Sequence, residues 1–267
     1  MHPRLTLYAL ARRYGLDAAA TARLIQLSAL DAEPVDLARQ VALAVAVLAA
    51  MLVGLGLVMW VAANWDLLGR LGQTFLLQGL VLGACAAALP FPKARPALSL
   101  LALLGIGGLL AHVGQTYQTG ADPWGLFAWW SLLGFPLALA VRSDVIWTPW
   151  ALVALTAIAL WESTHAGGAW RSGPDGLAVH ALAWLMAGLV VVWLSPLLGR
   201  VTGAGPWSMR TAATLAVSLV TLTALLGLFD GRVQPVYWLA LVMLAGAAAV
   251  LALSRAFDLG ALGAILL

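Results

Sequence analysis

The chain is a series of long apolar runs separated by short polar segments. Eight of these runs have about the 17–25 residues that a helix needs to cross the hydrocarbon core of a bilayer. Backbone inside lipid must satisfy its own hydrogen bonds, so each run predicts an α-helix. The pattern therefore predicts an all-α fold, a polytopic transmembrane helical bundle of about eight spans. The runs are Val41–Ala63, Leu71–Leu89, Ala97–Val113, Trp124–Val141, Val145–Trp161, Leu177–Leu197, Thr211–Phe229 and Pro235–Ser254.

Residues 1–39 predict a small helical hairpin outside the membrane. Leu5–Tyr14 has apolar residues at helical spacing, Gly15 is placed to end that helix, and Asp17 is placed to cap a second one. Such a pair also occurs in DNA-binding proteins, but next to a membrane domain it is more often an appendage that packs or docks a membrane-protein partner. We therefore expect two domains, 1–39 and 40–267.

Two local features extend this pattern. Arg142, Ser143 and Asp144 separate two spans and predict a sharp hairpin at the membrane surface. The chain stops inside a further apolar run, Leu259–Leu267, which is too short to cross, so we expect the sequence to be truncated there. Many of the tryptophans lie near span ends, as in an aromatic belt: Trp60, Trp65, Trp124, Trp147, Trp161, Trp207 and Trp238.

Composition agrees with a membrane location. The 267 residues are 63% hydrophobic and 9% charged, with a mean hydropathy of +0.97, whereas about a quarter of a soluble domain is charged. The net charge of +3 comes from scattered basic residues, so we expect no nucleic-acid partner. The single cysteine, Cys85, excludes an intrachain disulfide and a cysteine-based metal cluster. No metal or cofactor is expected.

The basic residues also predict an orientation. With a cytoplasmic N-terminus, eleven Lys and Arg residues fall inside and three outside, which agrees with the positive-inside rule. This orientation places four polar segments on the outer face: the Asn64–Asp66 turn, the Gly114–Asp122 patch, the Glu162–Asp175 loop and the Asp230–Arg232 turn.

The densest polar patch lies within Gly108–Trp130 and is the predicted site. His112 and Gln115 are three residues apart and share a helix face, and Asn64 is placed to hydrogen-bond across to their span. The hypothesis is one outer pocket for a small molecule or a lipid. Its residues are Asn64, Asp66, Arg70, His112, Gln115, Tyr117 and Asp122, with Trp65 and Trp130 covering them.

Each of these residues also has a simpler interpretation. Asp66 and Asp122 are placed to cap helices, the latter followed by Pro123 in the first turn. Arg70 can pair with Asp66 or meet an anionic headgroup. The others are typical of interfaces and helix contacts: His112 near the headgroups, Tyr117 in the aromatic belt and Gln115 as a packing amide.

The segments Gly54–Arg70 and His112–Ser143 resemble the bacterial predicted membrane proteins grouped as domain of unknown function 2157. The family pattern has a first span that ends in Ala-Asn-Trp, a following basic residue, a later Gln-x-Tyr with a nearby acid, and a Trp-rich span that ends in Arg-Ser. The resemblance covers about residues 5–143 and implies a multi-pass protein of the bacterial inner (cytoplasmic) membrane, without a defined activity. The matching residues are Asn64, Trp65, Arg70, Gln115, Tyr117, Asp122, Trp130 and Arg142; Gly120-Ala121-Asp122 departs from the more frequent Gly-Asp.

Several functional classes remain open. No Asp, Glu, Lys or Arg lies near the middle of a predicted span, which argues against a proton-coupled transporter with a charged midplane site. Phosphate-loop, metalloprotease and serine-hydrolase motifs are absent, which disfavours an intramembrane protease or a metalloenzyme. The leading hypothesis is a non-enzymatic transporter or sensor subunit that binds a small molecule, lipid or envelope component. The alternatives are a secondary transporter, a membrane-embedded enzyme on a lipid-linked substrate, and a structural membrane subunit.

Overall fold

The computed structural model describes residues 3–28, 37–117, 122–166, 176–229 and 234–253 of the chain. The described residues form α-helices only, which confirms the predicted fold class. The run Leu259–Leu267 lies outside them. The helices are α1 (Pro3–Arg13), α2 (Ala18–Leu27), α3 (Leu37–Ala63), α4 (Trp65–Ala88), α5 (Arg95–Tyr117), α6 (Pro123–Val141), α7 (Asp144–His165), α8 (Leu177–Trp193), α9 (Gly199–Thr202), α10 (Pro206–Phe229) and α11 (Pro235–Leu253).

The chain divides into two compact units, Met1–Val45 and Ala46–Leu267. In the first unit the turn between α1 and α2 contains Gly15 at a φ of +62°, a conformation that glycine adopts without a Cβ penalty. The side chain of Asp17 accepts a hydrogen bond from the Ala20 amide at 2.7 Å and so caps α2. Both roles were predicted from the sequence and are confirmed.

The apolar runs form the long helices. Among the described residues, α3, α4, α5, α6, α7 and α10 are long and apolar enough to cross a membrane, and α8 and α11 are shorter apolar helices. Large apolar side chains such as Leu132, Leu185 and Val242 are exposed on this unit. A surface of this kind is expected where lipid surrounds the helices rather than water.

In the second unit, α7 lies at the centre of the packing. It contacts α5, α6, α8 and α10, while α4 packs on α5 and α11 packs on α10. Ile146, Trp147 and Ala151 of α7 are completely buried. The neighbouring helices contribute further buried residues to the same core: Leu100, Leu103, Ala138, Ala187, Leu194 and Ala212.

Because short connections join successive long helices, the bundle has two ends. The C-termini of α3, α5, α7 and α10 lie at one end, together with the N-termini of α4, α6, α8 and α11. We call it the Asn64 end, after the residue between α3 and α4. The N-termini of α7 and α10 lie at the opposite end, which we call the Asp144 end.

The predicted hairpin between α6 and α7 is confirmed at the Asp144 end. Only Arg142 and Ser143 separate the two helices, and Arg142 has a left-handed φ of +52°. The Asp144 carboxylate accepts three backbone hydrogen bonds from the start of α10: Oδ1 from Gly205 at 3.1 Å and Ser208 at 2.8 Å, and Oδ2 from Trp207 at 3.0 Å. One side chain of α7 therefore caps α10.

The aromatic-belt interpretation is wrong for one tryptophan and stays a prediction for the others. Trp60, Trp207 and Trp238 are 49–69% exposed near helix ends. Trp147 is completely buried, and its Nε1 donates to the Thr202 carbonyl at 2.7 Å. That carbonyl belongs to the last residue of the four-residue α9, where helices leave acceptors unpaired. The indole thus joins two elements inside the protein.

Candidate functional site

A crevice of about 140 Å³ lies between α3, α4 and α5 near the Asn64 end. Its floor is buried: Val61, Leu77 and His112 are each 3% exposed. Its rim is open, since Val58 and Ala62 of α3 and Gln115 of α5 are exposed side chains. The lining residues are Val58, Val61, Ala62, Leu77, Gly108, Ala111, His112 and Gln115.

Two glycines bring α3 close to α5 beside this crevice. A Cβ at Gly54 of α3 would lie 3.2 Å from the Leu104 side chain, and one at Gly108 of α5 would lie 3.4 Å from Val58. Small residues permit this approach between membrane helices, where no water is released to drive association. Only 6% of an 18-residue apolar stretch of α3 is buried, so α3 has few other contacts. The two glycine contacts therefore do much to set the width of the crevice.

His112 is held at the crevice floor by hydroxyl groups on two helices. Its Nε2 lies 3.0 Å from Thr74 Oγ1 of α4, and its Nδ1 lies 3.3 Å from Thr116 Oγ1 of α5. Thr74 donates its single hydroxyl proton to the Arg70 carbonyl at 2.9 Å. Its oxygen is then the acceptor for His112 Nε2–H. The two hydroxyl contacts fix the orientation of the ring.

The other predicted site residues are placed as follows. The Asn64 amide donates to the Trp60 carbonyl of its own helix at 3.0 Å, so this bond replaces the expected one to α5. Arg70 is exposed, just after Gly69, whose φ of +60° interrupts α4. Asp122 is exposed at the N-cap position of α6, but its carboxylate makes no capping hydrogen bond. Pro123 does begin α6, as predicted.

Three predicted side chains lie outside the described part of the structure. The backbones of Trp65, Asp66 and Tyr117 are helical, but their side chains are not among those described. The expectations that Asp66 pairs with Arg70 and that Tyr117 faces the pocket therefore stay predictions.

Trp130 does not cover the crevice, contrary to the prediction. Its Nε1 donates to the Leu103 carbonyl of α5 at 2.8 Å. Its ring lies where a side chain at Gly107 would be, since a Cβ there would come within 2.3 Å of the indole. The indole packs into α5 because the glycine leaves a groove, and it stabilises the contact between α5 and α6.

Sequence reasoning missed a buried polar cluster that joins α7, α8 and α10. Glu162 was placed in an outer loop, but α7 continues to His165 and buries it at 3% exposure. His180 of α8 is 4% exposed, and its Nδ1 lies 2.7 Å from Glu162 Oε1. Thr223 Oγ1 of α10 lies 3.2 Å from the same oxygen and 2.9 Å from the Leu219 carbonyl, so its one hydroxyl proton is shared between them. An ionisable histidine inside the run Leu177–Leu197 was the signal that points to this cluster.

The crevice differs in chemistry from the buried cluster of Glu162, His180 and Thr223. The crevice has an apolar wall, one rim amide and an imidazole whose ring nitrogens face hydroxyls, so it is suited to binding. His112 is buried and Asp122 is exposed, so the described residues do not assemble the acid–base pair that the enzyme hypothesis required. No group of three or more metal-ligating side chains occurs among the described residues.

Comparison with known proteins gives one match. The family model described as "Predicted membrane protein (DUF2157)" matches residues 9–147, slightly more than half of the chain. The matched region includes every residue of the crevice and ends before Glu162. No curated protein and no solved structure matches the chain significantly.

Proposed function

The chain belongs to the DUF2157 family of predicted membrane proteins, and on that premise we propose that it binds a lipid or a small amphipathic molecule in the crevice between α3, α4 and α5. The protein acts through this binding as a sensor or transporter subunit rather than as an enzyme. The observation that carries the proposal is the contrast between a buried floor and an open rim around one small volume.

The size of the crevice limits what it holds. Drug-sized ligands occupy pockets of roughly 300–1,000 Å³, whereas a dry cavity of about 150 Å³ accepts one benzene-sized group. The 140 Å³ crevice therefore takes a ring or a short part of an acyl chain, and the rest of the ligand extends past the rim. A bilayer lipid meets this requirement because its other parts remain in the surrounding lipid.

The polar side chains of the crevice indicate the chemistry of the part of the ligand that lies at the rim. Gln115 is exposed on the rim and offers an amide donor and acceptor at the point where the crevice opens. His112 closes the floor with a ring that Thr74 and Thr116 orient. A hydroxyl, ester or phosphate group near the headgroup region is the chemistry that would meet Gln115 while a methylene chain contacts Val61 and Leu77.

The positive-inside distribution supports a further part of the proposal. With the N-terminus in the cytoplasm and the protein in a bacterial inner membrane, the Asn64 end faces outward. The crevice then opens at the outer leaflet, where lipids and envelope components are available. A partner protein would dock on residues 1–39.

The test is native mass spectrometry of the full chain released from detergent with added oleoyl phosphatidylethanolamine or phosphatidylglycerol. We expect one bound lipid per chain, with binding reduced at least tenfold by Ala111→Leu, which fills the crevice, and several-fold by Gln115→Leu. The matched control is Gln78→Leu, which makes the same change at an exposed position of α4 outside the crevice.

Two results would overturn the proposal. One is equal lipid retention by Ala111→Leu and the wild type, with both proteins folded by circular dichroism. The other is an equal loss in Gln78→Leu and Gln115→Leu, which would indicate general annular lipid instead of a site.

A further inference from the structure

We propose that Glu162 and His180 form a buried proton-binding dyad at the Asn64 end, in which His180 Nε2 is the atom that takes the proton. The dyad lies outside the region matched by the family and does not depend on the crevice. Its ligand is a proton from the water on that side of the membrane.

The first support is geometric. Glu162 and His180 come from α7 and α8, are 3% and 4% exposed, and lie 2.7 Å apart through Oε1 and Nδ1. The Thr223 hydroxyl of α10 lies 3.2 Å from the same carboxylate oxygen and shares its proton between that oxygen and the Leu219 carbonyl. When Glu162 is ionised it accepts and does not donate, so the bond between the two side chains is made by a proton on His180 Nδ1. In the neutral ring the lone pair is then on Nε2.

The second support is that Nε2 is buried without a hydrogen-bond partner in the described part of the structure. Among the described residues, His180 Nε2 and Glu162 Oε2 have no hydrogen-bond partner. A Cβ at Gly176 would lie 3.3 Å from Nε2 and 3.5 Å from the Ala166 carbonyl oxygen. Nε2 and the end of α7 therefore both pack closely against Gly176, where a side chain would crowd them. A carbonyl at a helix C-terminus favours positive charge, which suits a protonated Nε2.

The third support is electrostatic. An ionised Glu162 beside a neutral His180 leaves one net negative charge buried, and uncompensated buried charge is costly. When Nε2 takes a proton from hydronium, one N–H bond forms, one O–H bond of hydronium breaks, and water leaves. The result is an imidazolium–carboxylate pair with no net charge. Ionisable residues buried in membrane segments are rare and mark functional positions for this reason.

Other titratable groups lie on the helices packed around the dyad. His165 is on α7 itself, where its ring stacks on Trp161 and is exposed. The others are Asp122 before α6, His112 on α5 and Tyr237 on α11. Two of these groups are histidines, so the measurement must resolve histidines individually.

The test uses the full chain in lipid nanodiscs with ¹⁵N-labelled histidine, observed by NMR from about pH 8 to pH 5, the range in which histidine changes charge. The chain has four histidines, and the His180 signals are identified by their loss in His180→Asn. The asparagine amide can still donate to Glu162 but has no second ring nitrogen. We expect His180 Nε2 to change from an unprotonated to a protonated nitrogen within this range.

The substitution Glu162→Gln removes the negative charge of the side chain and keeps nearly the same shape. The amide oxygen still accepts from Nδ1 but carries no negative charge, so the imidazolium has no charged partner and we expect the protonated His180 signals at pH 5 to be weaker than in the wild type. The matched control, His165→Asn, removes an exposed histidine at the same end and should leave the His180 transition unchanged. The proposal is overturned if His180 keeps one state across the range while His165 titrates, or if Glu162→Gln leaves the transition in place.

Discussion

Replacing Asp144 by alanine would remove one carboxylate that serves two helices. It is the first residue of α7, where a negative charge meets the positive end of the helix dipole. It also accepts three backbone hydrogen bonds, from Gly205, Trp207 and Ser208, at the start of α10. The expected result is a loss of stability without a loss of fold, since the apolar core around α7 is untouched.

The magnitude follows from the three bonds. Loss of an ordinary N-cap costs about 0.5–2 kcal/mol, and a hydrogen bond to a charged acceptor contributes about 1.5–3 kcal/mol. The Trp207 amide is at an exposed residue, where water can replace the carboxylate. The two partly buried bonds, to Gly205 and Ser208, remain the main loss, so Asp144→Ala should lower the free energy of unfolding by about 3 kcal/mol.

The assay is reversible unfolding of the purified chain in mixed micelles, followed by circular dichroism at increasing fractions of dodecyl sulfate. Asp122→Ala is the matched control, because Asp122 occupies an N-cap position without a side-chain capping bond and should change stability by less than about 0.5 kcal/mol. If Asp144→Ala unfolds within 0.5 kcal/mol of the wild type, the capping argument is wrong.

A double-mutant cycle tests the contact between Asp144 and Gly205 directly. A Cβ at Gly205 would lie 2.7 Å from Asp144 Oδ2, so Gly205→Ala alone should cost about 1–3 kcal/mol through crowding. In the Asp144→Ala background the obstructing carboxylate is absent, and most of that cost should disappear. Strict additivity of the two changes would contradict the contact.

Two further predictions compare buried with open positions by the same assay. Trp147→Phe removes a buried indole hydrogen bond and should cost about 1–3 kcal/mol, whereas Trp207→Phe, at an exposed indole, should cost less than about 0.5 kcal/mol. Gly107→Ala places a Cβ 2.3 Å from the Trp130 ring and should cost about 1–3 kcal/mol; Gly79→Ala meets nothing within 4 Å and should stabilise α4 by up to about 1 kcal/mol. Equal effects within either pair would refute the assigned contacts.

The positions of the helices follow from local sequence. Eight apolar runs became helices with boundaries within a few residues of the predicted ones, because a segment in lipid must pair its backbone groups internally wherever it lies in the fold. Gly15 and Asp17 acted as predicted because this turn and this cap involve only neighbouring residues. Basic residues likewise predict an orientation from their positions along the chain.

The contacts between helices did not follow from local sequence. The periodicity around Trp130 cannot tell whether its indole faces a crevice or a glycine groove on α5, and Asn64 proved to bond within its own helix. The three bonds of Asp144 join residues about 60 positions apart. Such pairings depend on which helix faces which.

Composition and hydrophobic period therefore determined by themselves that this is a helical membrane protein, where its helices lie, and that its polar residues gather near helix ends. Only the tertiary structure decided which of those residues meet. It placed His112 at the floor of a crevice and brought Glu162 to His180 across two helices. The reason is that helix formation uses hydrogen bonds between residues four apart, whereas burial of a side chain depends on packing between segments that are distant in the chain.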